Sequence, residues 1–381
     1  MKSVEYYRGR EQTYLKHFFL ERYLERVAYN IGSFAREFVY VDGFSGPWQS
    51  EDEAFEDTSF VIALHQLRRV REGLAKIGRA PRIRCIFVEK DEVAFRSLEK
   101  AVQNVRDMDV HPIHGEFESA IPEVLRRIGR SFALVFIDPT GWTGFGLRKI
   151  EPILQHTPGE VLVNFMFDHI NRFLDHPGPE IGASFTELFG GSGWEAAVRA
   201  TARREDAIVD LYRERMRIAG KFPCVSSTRI LKPTSDRSYF YLVYGTRNWK
   251  GLLEFRGVEK KAVGEQERVR LTAKQIERIE RTSQPELFSA AELAGGPASF
   301  EEERAARLGT AFSQLSERLQ RRGRTPYEEV VGQVLESPLV WESDLKAMIT
   351  ELRTKGQLEI EGLEGRQRMP RAGCRLVWKH A

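Results

Sequence analysis

The sequence predicts a doubly wound α/β domain followed by a small domain of helix, turn, helix and hairpin. Two observations carry the prediction. Short apolar strands alternate with helical periodicity from Phe38 to about Phe167, the pattern of parallel β-α units. Between about Lys260 and Glu303 charged residues dominate, periodicity weakens and Gly295-Gly296-Pro297 interrupts the chain, which reads as a linker with some helix. The expected organisation is a sheet domain over 1–258, a linker over 259–303 and a C-terminal domain over 304–381.

Each element rests on its own spacing. Leu15, Phe18, Phe19, Tyr23 and Val27 put one apolar face on a helix from Gln12 to Val27. The first strand, Phe38–Val41, runs into Asp42-Gly43-Phe44-Ser45-Gly46-Pro47-Trp48. A helix over Ser59–Val70 turns Phe60, Ala63, Leu64 and Leu67 inward, and a second strand, Ile83–Val88, ends at Glu89. Helix Glu92–Val105 and a short strand near Val110–Ile113 lead to His114-Gly115-Glu116-Phe117-Glu118. Helix Ile121–Ile128 precedes the most apolar strand, Ala133–Ile137, which stops at Asp138-Pro139. A helix at Leu147–Gln155 and a strand at Val161–Phe167 follow. Strands at Cys224–Ile230 and Tyr239–Tyr244, separated by turn residues from Pro233 to Ser238, are expected to form an antiparallel hairpin at the end of the sheet. In the last domain, helices at Tyr327–Leu335 and Trp341–Lys355 precede short strands at Gln357–Ile360 and Cys374–Trp378, with Gly356 stopping the second helix.

A chain of 381 residues is long for one domain, and 41% hydrophobic with 30% charged residues suits a globular protein. The net charge of +3 imposes no global basic field, although a local basic patch remains open. The three cysteines, Cys85, Cys224 and Cys374, form no CxxC pair and no metal-ligand spacing, so a reducing cytoplasm is expected and no metal is. No apolar run approaches the roughly 20 residues that span a bilayer. Lys2, Glu5, Arg8, Arg10 and Glu11 make the N-terminus unlike a secretory signal.

Asp42, Gly43, Phe44, Ser45 and Gly46 fall where an open α/β sheet takes up nucleotides, in the crevice beyond a strand's carboxyl end. The two glycines let the backbone turn sharply and approach a ligand, while Asp42 can hold a cationic amino group. The same residues also suit an ordinary strand-to-loop turn. Glu89, at the end of the second strand, is placed to accept hydrogen bonds from ribose hydroxyls. Glu116 and Phe117 follow the third strand and can meet an adenine edge and ring. The missing three-glycine spacing argues against a pyrophosphate cofactor and a dinucleotide-dependent oxidoreductase, and no carboxylate cluster suits a two-metal nuclease.

The segment Phe136-Ile137-Asp138-Pro139-Thr140-Gly141-Trp142 delivers an Asp to the mouth of the sheet and stiffens it with Pro139. A carboxylate there can accept a hydrogen bond from an exocyclic amine, and Trp142 can stack on a planar base. Asp-Pro-x-Gly is also a good turn sequence. Lys16 and His17, on the N-terminal helix, are candidates to reach the cofactor or the substrate.

These residues resemble a known family, the three-Cys-motif partner (TcmP) proteins. The resemblance lies in Thr13-Tyr14-Leu15-Lys16-His17, the turn Tyr40 to Pro47, Phe136 to Gly141, the hairpin end Tyr241 to Arg247, and Lys250-Gly251. It implies a Rossmann-like class I methyltransferase sheet, S-adenosylmethionine as cofactor, and a radical-SAM-like partner with three clustered cysteines. A more distant likeness is to the ribosomal RNA adenine-N6-methyltransferase J. On that likeness Lys16, His17 and Asp42 line the cofactor end and Asp138 faces the target amine. Adenine-N6 enzymes carry Asp-Pro-Pro-aromatic, whereas here Thr140 and Gly141 separate Pro139 from Trp142. A non-catalytic scaffold that recruits the partner is the alternative.

The outline of the C-terminal domain is that of a winged helix. Arg366, Arg368, Arg371 and Arg375 cluster around its expected wing, and Arg321, Arg322 and Arg324 precede its first helix. Basic wings contact phosphates, which makes RNA or DNA a candidate partner. The second helix mixes Asp344 and Glu351 with Lys346, Arg353 and Lys355, a weak pattern for reading bases.

Overall fold

The computed structural model describes residues 2–46, 55–176, 178–199, 203–282 and 297–379. They belong to two compact units, Met1–Arg247 and Asn248–Ala381. Pro47, Trp48, Gly295 and Gly296 lie outside the described residues.

In the first unit α1 (Glu11–Gly32) leads to β1 (Glu37–Asp42), then α2 (Ser59–Lys76), β2 (Arg82–Glu89), α3 (Glu92–Val102) and β3 (Asp109–His114). Next come α4 (Phe117–Ile128), β4 (Phe132–Ile137), α5 (Leu147–Leu154) and β5 (Gly159–Phe165). Four helices follow, α6 (Phe167–Phe173), α7 (Pro179–Leu188), α8 (Trp194–Arg199) and α9 (Arg204–Gly220), before the hairpin β6 (Cys224–Leu231) and β7 (Ser238–Thr246). The strand order is β3-β2-β1-β4-β5-β7-β6. The first five strands are mutually parallel; β7 runs antiparallel to both β5 and β6, as the hairpin expectation required.

Both faces of the sheet are covered. Val39, Val41, Val135, Ile137 and Val163 share one core with Phe117 and Val124 of α4, Ile150 of α5 and Tyr212 of α9. On the other face Phe60 of α2 packs edge-on against Phe87, and Tyr23 of α1 against Tyr244. Strands buried on both faces explain the unbroken apolar runs in the sequence. The order reverses between β1 and β4, so the topological switch point, where open α/β sheets bind ligands, lies above the carboxyl ends of these two strands.

The second unit begins with α10 (Trp249–Thr282) and continues with α11 (Pro297–Arg322), β8 (Arg324–Pro326), α12 (Tyr327–Val334), α13 (Glu342–Thr354), β9 (Leu358–Glu361) and β10 (Arg375–Trp378). Its antiparallel sheet has the order β8-β10-β9. Here the structure departs from the expected boundaries. The division falls at Arg247/Asn248 rather than at 258, and much of the expected linker is one helix. Arg256 and Glu259 on α10 are fully buried and paired at 2.6 Å; the Arg256 guanidinium also donates to the carbonyls of Leu335 and Glu336. The indole of Trp341 donates to Glu259. Composition reads charged residues of this kind as solvated, but here Arg256 and Glu259 form one internal ion pair. No described helix is long and apolar enough to cross a membrane.

Candidate functional site

A cavity of about 390 Å³ opens over the carboxyl edge of the seven-stranded sheet. Its floor is the loop after β1. The Gly43 amide donates to the Phe136 carbonyl of β4 at 2.9 Å, and the Ser45 amide to the Val88 carbonyl of β2 at 2.9 Å, so the loop is stitched to both neighbouring strands. Gly43 is required by space: a Cβ there would lie 2.8 Å from the Phe117 ring. Gly43, Phe44 and Gly46 line the cavity together with Glu89, Lys90, Gly115, Glu116 and Phe117. Phe44 and Phe117 are in ring contact at 5.7 Å. Glu89 is 2% exposed, and its Oε1 accepts from the Asp91 amide at 2.7 Å. Asp91 in turn caps α3 through the Ala94 amide, which places the acid by ordinary helix-start chemistry.

Opposite this group stands Asp138. Its Oδ2 accepts from the Lys16 ammonium at 2.5 Å and its Oδ1 from the Asn164 amide at 2.7 Å. A carboxylate has about four lone-pair positions, so each oxygen keeps one for a ligand. Pro139, Thr140 and Gly141 continue this wall, and Asn164, Met166 and His169 face it from β5 and α6. Because β7 runs antiparallel, its first residues reach the same edge and contribute Tyr239 and Phe240. Arg10, Gln12, Thr13, Lys16 and His17 line the cavity from the start of α1.

Three expected site residues are elsewhere. Asp42 is fully buried beneath the floor: its Oδ2 accepts from the Ser59 hydroxyl at 2.6 Å and its Oδ1 from the Phe44 amide at 3.1 Å. Burial raises its carboxyl to about 6, against the lowering effect of those two bonds. It shapes the loop and does not line the cavity. Ser45 is also buried, its hydroxyl bonded to the Asp42 carbonyl. Trp142, expected as a stacking platform, packs between Phe173 and Phe185 at 5.1 and 5.4 Å and donates its Nε1 proton to Ser184. Its rings are partly buried and pack against the core beside α6 and α7.

Sequence reasoning missed Asn164, His169, Tyr239, Phe240 and Arg10. Two carried a readable signal. Asn164 is a lone amide within the apolar run Val161 to Phe165, and Tyr239 opens a strand already read as half of an antiparallel hairpin. The arginines Arg366, Arg368 and Arg371 are exposed on the loop between β9 and β10, where Arg371 is engaged by Glu364.

No family model matches the chain, and no curated protein does. Among solved structures, protein LPL1258 from Legionella pneumophila is 10% identical, with a TM-score of 0.35 over 61% of this chain and 85% of its own. The cofactor-bound protein Rv0187 from MTB is 15% identical, with a TM-score of 0.31 over 60% of this chain and 79% of its own. A loganic acid methyltransferase solved with SAH is 12% identical, with a TM-score of 0.28 over 56% of this chain and 73% of its own.

Proposed function

We propose that the chain is an S-adenosylmethionine-dependent methyltransferase of class I, acting on an amino nitrogen of a nucleic-acid base, with adenine N6 as the first candidate. The single observation that carries the reading is the cavity at the switch point, with Glu89 on one side and Asp138, held by Lys16 and Asn164, on the other. The strand order, with its reversed β7, is the class I arrangement and supports the same fold. A volume of about 390 Å³ suits a nucleoside-sized ligand, since small-molecule sites span roughly 300–1,000 Å³.

The residues present fit this cofactor. Glu89 would hold the ribose hydroxyls, the Gly43 and Gly115 backbone would come close to the ligand, and Phe44 and Phe117 would supply apolar cover for an adenine ring. When bound, S-adenosylmethionine supplies a methyl group on a positively charged sulfur. Asp138 would accept one N–H of the target amine, which orients the nitrogen lone pair. As nitrogen gains the methyl it sheds one proton, and the Asp138 carboxylate is the group within reach to take it. Lys16 balances the charge of Asp138, and Asn164 fixes its rotation.

The C-terminal unit reads as a winged helix in the order α11, β8, α12, α13, β9, β10, with Arg366, Arg368 and Arg371 on the wing facing nucleic-acid phosphates. The resemblance to TcmP proteins adds a radical-SAM-like partner with three clustered cysteines, which co-purification of the two chains would test. The packing of Trp142 against Phe173 and Phe185, away from the cavity lining, favours a second reading, a cofactor-binding scaffold that recruits its radical-SAM-like partner without transfer. Calorimetry with S-adenosylmethionine decides the cofactor: the wild type should bind and Glu89→Ala should bind at least tenfold more weakly. No heat at millimolar ligand would remove the enzyme reading. Radiolabelled methyl transfer to unmodified RNA or DNA, lost in Asp138→Asn with cofactor affinity kept, identifies the enzyme; binding without transfer identifies the scaffold.

A further inference from the structure

Among the polar groups in the cavity lining to which the proposed chemistry gives no role is the imidazole of His17. It is 3% exposed and lines the cavity from α1. Its Nδ1 lies 3.1 Å from the Tyr7 hydroxyl, while Nε2 finds no partner among the described residues. Tyr7 ends the short 3-10 turn Val4–Tyr7 and is itself fully buried. Its ring is clamped edge-on against Tyr14 at 5.6 Å and against the imidazole at 5.8 Å, and its hydroxyl has no partner other than His17 among the described residues.

We propose that Tyr7 is a positioning residue: by donating its hydroxyl proton to Nδ1, it fixes His17 in the tautomer with the proton on Nε2, so that the cavity presents a hydrogen-bond donor to an acceptor atom of the bound ligand. Two tautomers are open to a neutral ring. With the proton on Nδ1, the phenol only accepts, and its O–H is stranded in the core without a partner. With the proton on Nε2, the phenol donates to Nδ1, and the one unmatched donor is the N–H that lines the cavity. Buried hydroxyl protons are almost always paired, so the second arrangement prevails. Burial, with the Lys16 and Arg10 charges beside it, pushes the imidazole well below its ordinary range, and the ring stays neutral. The Tyr7 phenol is pushed up by the same burial and keeps its proton to give. Two neighbours on α1 therefore take opposite tasks: Lys16 holds Asp138, and His17 offers an uncharged donor.

The ligand contact rests on the proposed function, whereas the tautomer does not, and the experiment separates the two. Nitrogen-15 NMR of the full chain labelled at histidine reports which ring nitrogen carries the proton. The expectation is Nε2–H for His17 in the wild type, and a mixture with a measurable Nδ1–H fraction in Tyr7→Phe. A wild type protonated on Nδ1, or a Tyr7→Phe variant whose tautomer populations are unchanged, overturns the assignment. The wild-type spectrum alone can refute it, even if the variant folds poorly. Titration with S-adenosylhomocysteine, followed in parallel by calorimetry, should shift the Nε2–H resonance as the site fills. Heat of binding with that resonance unmoved overturns His17 as a donor to this ligand. Absence of heat defeats the proposed function and leaves the tautomer result standing.

Discussion

Asp42 offers the sharpest test of how the floor of the cavity is built, through the variant Asp42→Asn. Burial pushes the carboxyl up to about 6 in the folded chain, from an ordinary value of 3.8. Below that lower value it is protonated whether the chain is folded or not, and no penalty exists. As pH rises from there, the unfolded chain releases the proton while the folded chain retains it, so the folded state loses relative stability until about pH 6. The gap is about 2 pH units. At roughly 1.36 kcal/mol per unit the swing is of the order of 3 kcal/mol. The amide that replaces the carboxylate cannot titrate. It can accept from the Phe44 amide and donate to the Ser59 hydroxyl, so both existing contacts keep a partner. Urea unfolding of both proteins at a series of pH values should therefore give a stability difference that moves in favour of the variant by up to about 3 kcal/mol between about pH 4 and pH 7. Parallel stability curves over that window would refute the burial argument, whatever the constant offset between them.

Three further outcomes follow from the geometry. Gly43→Ala forces the Phe117 ring to move from a 2.8 Å approach, which should destabilise the fold by about 1–3 kcal/mol in denaturant melts and weaken S-adenosylmethionine binding in calorimetry. Lys16→Met leaves Asp138 held by Asn164 alone; methyl transfer should fall at least tenfold while cofactor affinity changes less than threefold, and an equal loss of both would place Lys16 at the cofactor instead. In the second unit, Glu259→Gln removes the negative charge of the fully buried Arg256–Glu259 pair and should cost about 3 kcal/mol of that unit's stability, part of which Arg256→Met with Glu259→Leu should restore.

What the sequence made legible follows the periodicity of burial. The parallel strands and the final hairpin emerged because strands covered on both faces read as unbroken apolar runs, and the chain ends of those strands marked the cavity before its walls were known. The four helices between β5 and β6 did not emerge, because only some of their residues, such as Phe185, Trp194 and Tyr212, carry the core and the rest face outward. The start of α10 escaped for the opposite reason. Its Arg256, Glu259, Gln266 and Arg270 are buried, so a charged composition concealed an internal surface.

The same distinction governs the site. Position along a sheet edge is set by strand length and is readable; which way a side chain turns at that edge is set by tertiary partners and is not. Asp42 and Asp138 both end a strand of the central pair, yet Ser59 and the Phe44 amide draw one beneath the floor while Lys16 and Asn164 hold the other at the cavity. Trp142 shows the consequence for chemistry. Four residues beyond Asp138 it has the right composition for a stacking platform, but Phe173, Phe185 and Ser184 give its rings and its Nε1 a better partner inside the protein. On the proposed function, the aromatic surface left to a planar substrate would be that of Tyr239 and Phe240, contributed by the reversed strand beside β5. The acceptor would then be recognised from β7 and activated by Asp138 at the end of β4. Alanine at Tyr239 should therefore raise the KM for a nucleic-acid substrate, whereas alanine at Trp142 should lower stability; the reverse assignment in steady-state kinetics and melts would return the stacking role to the loop after β4.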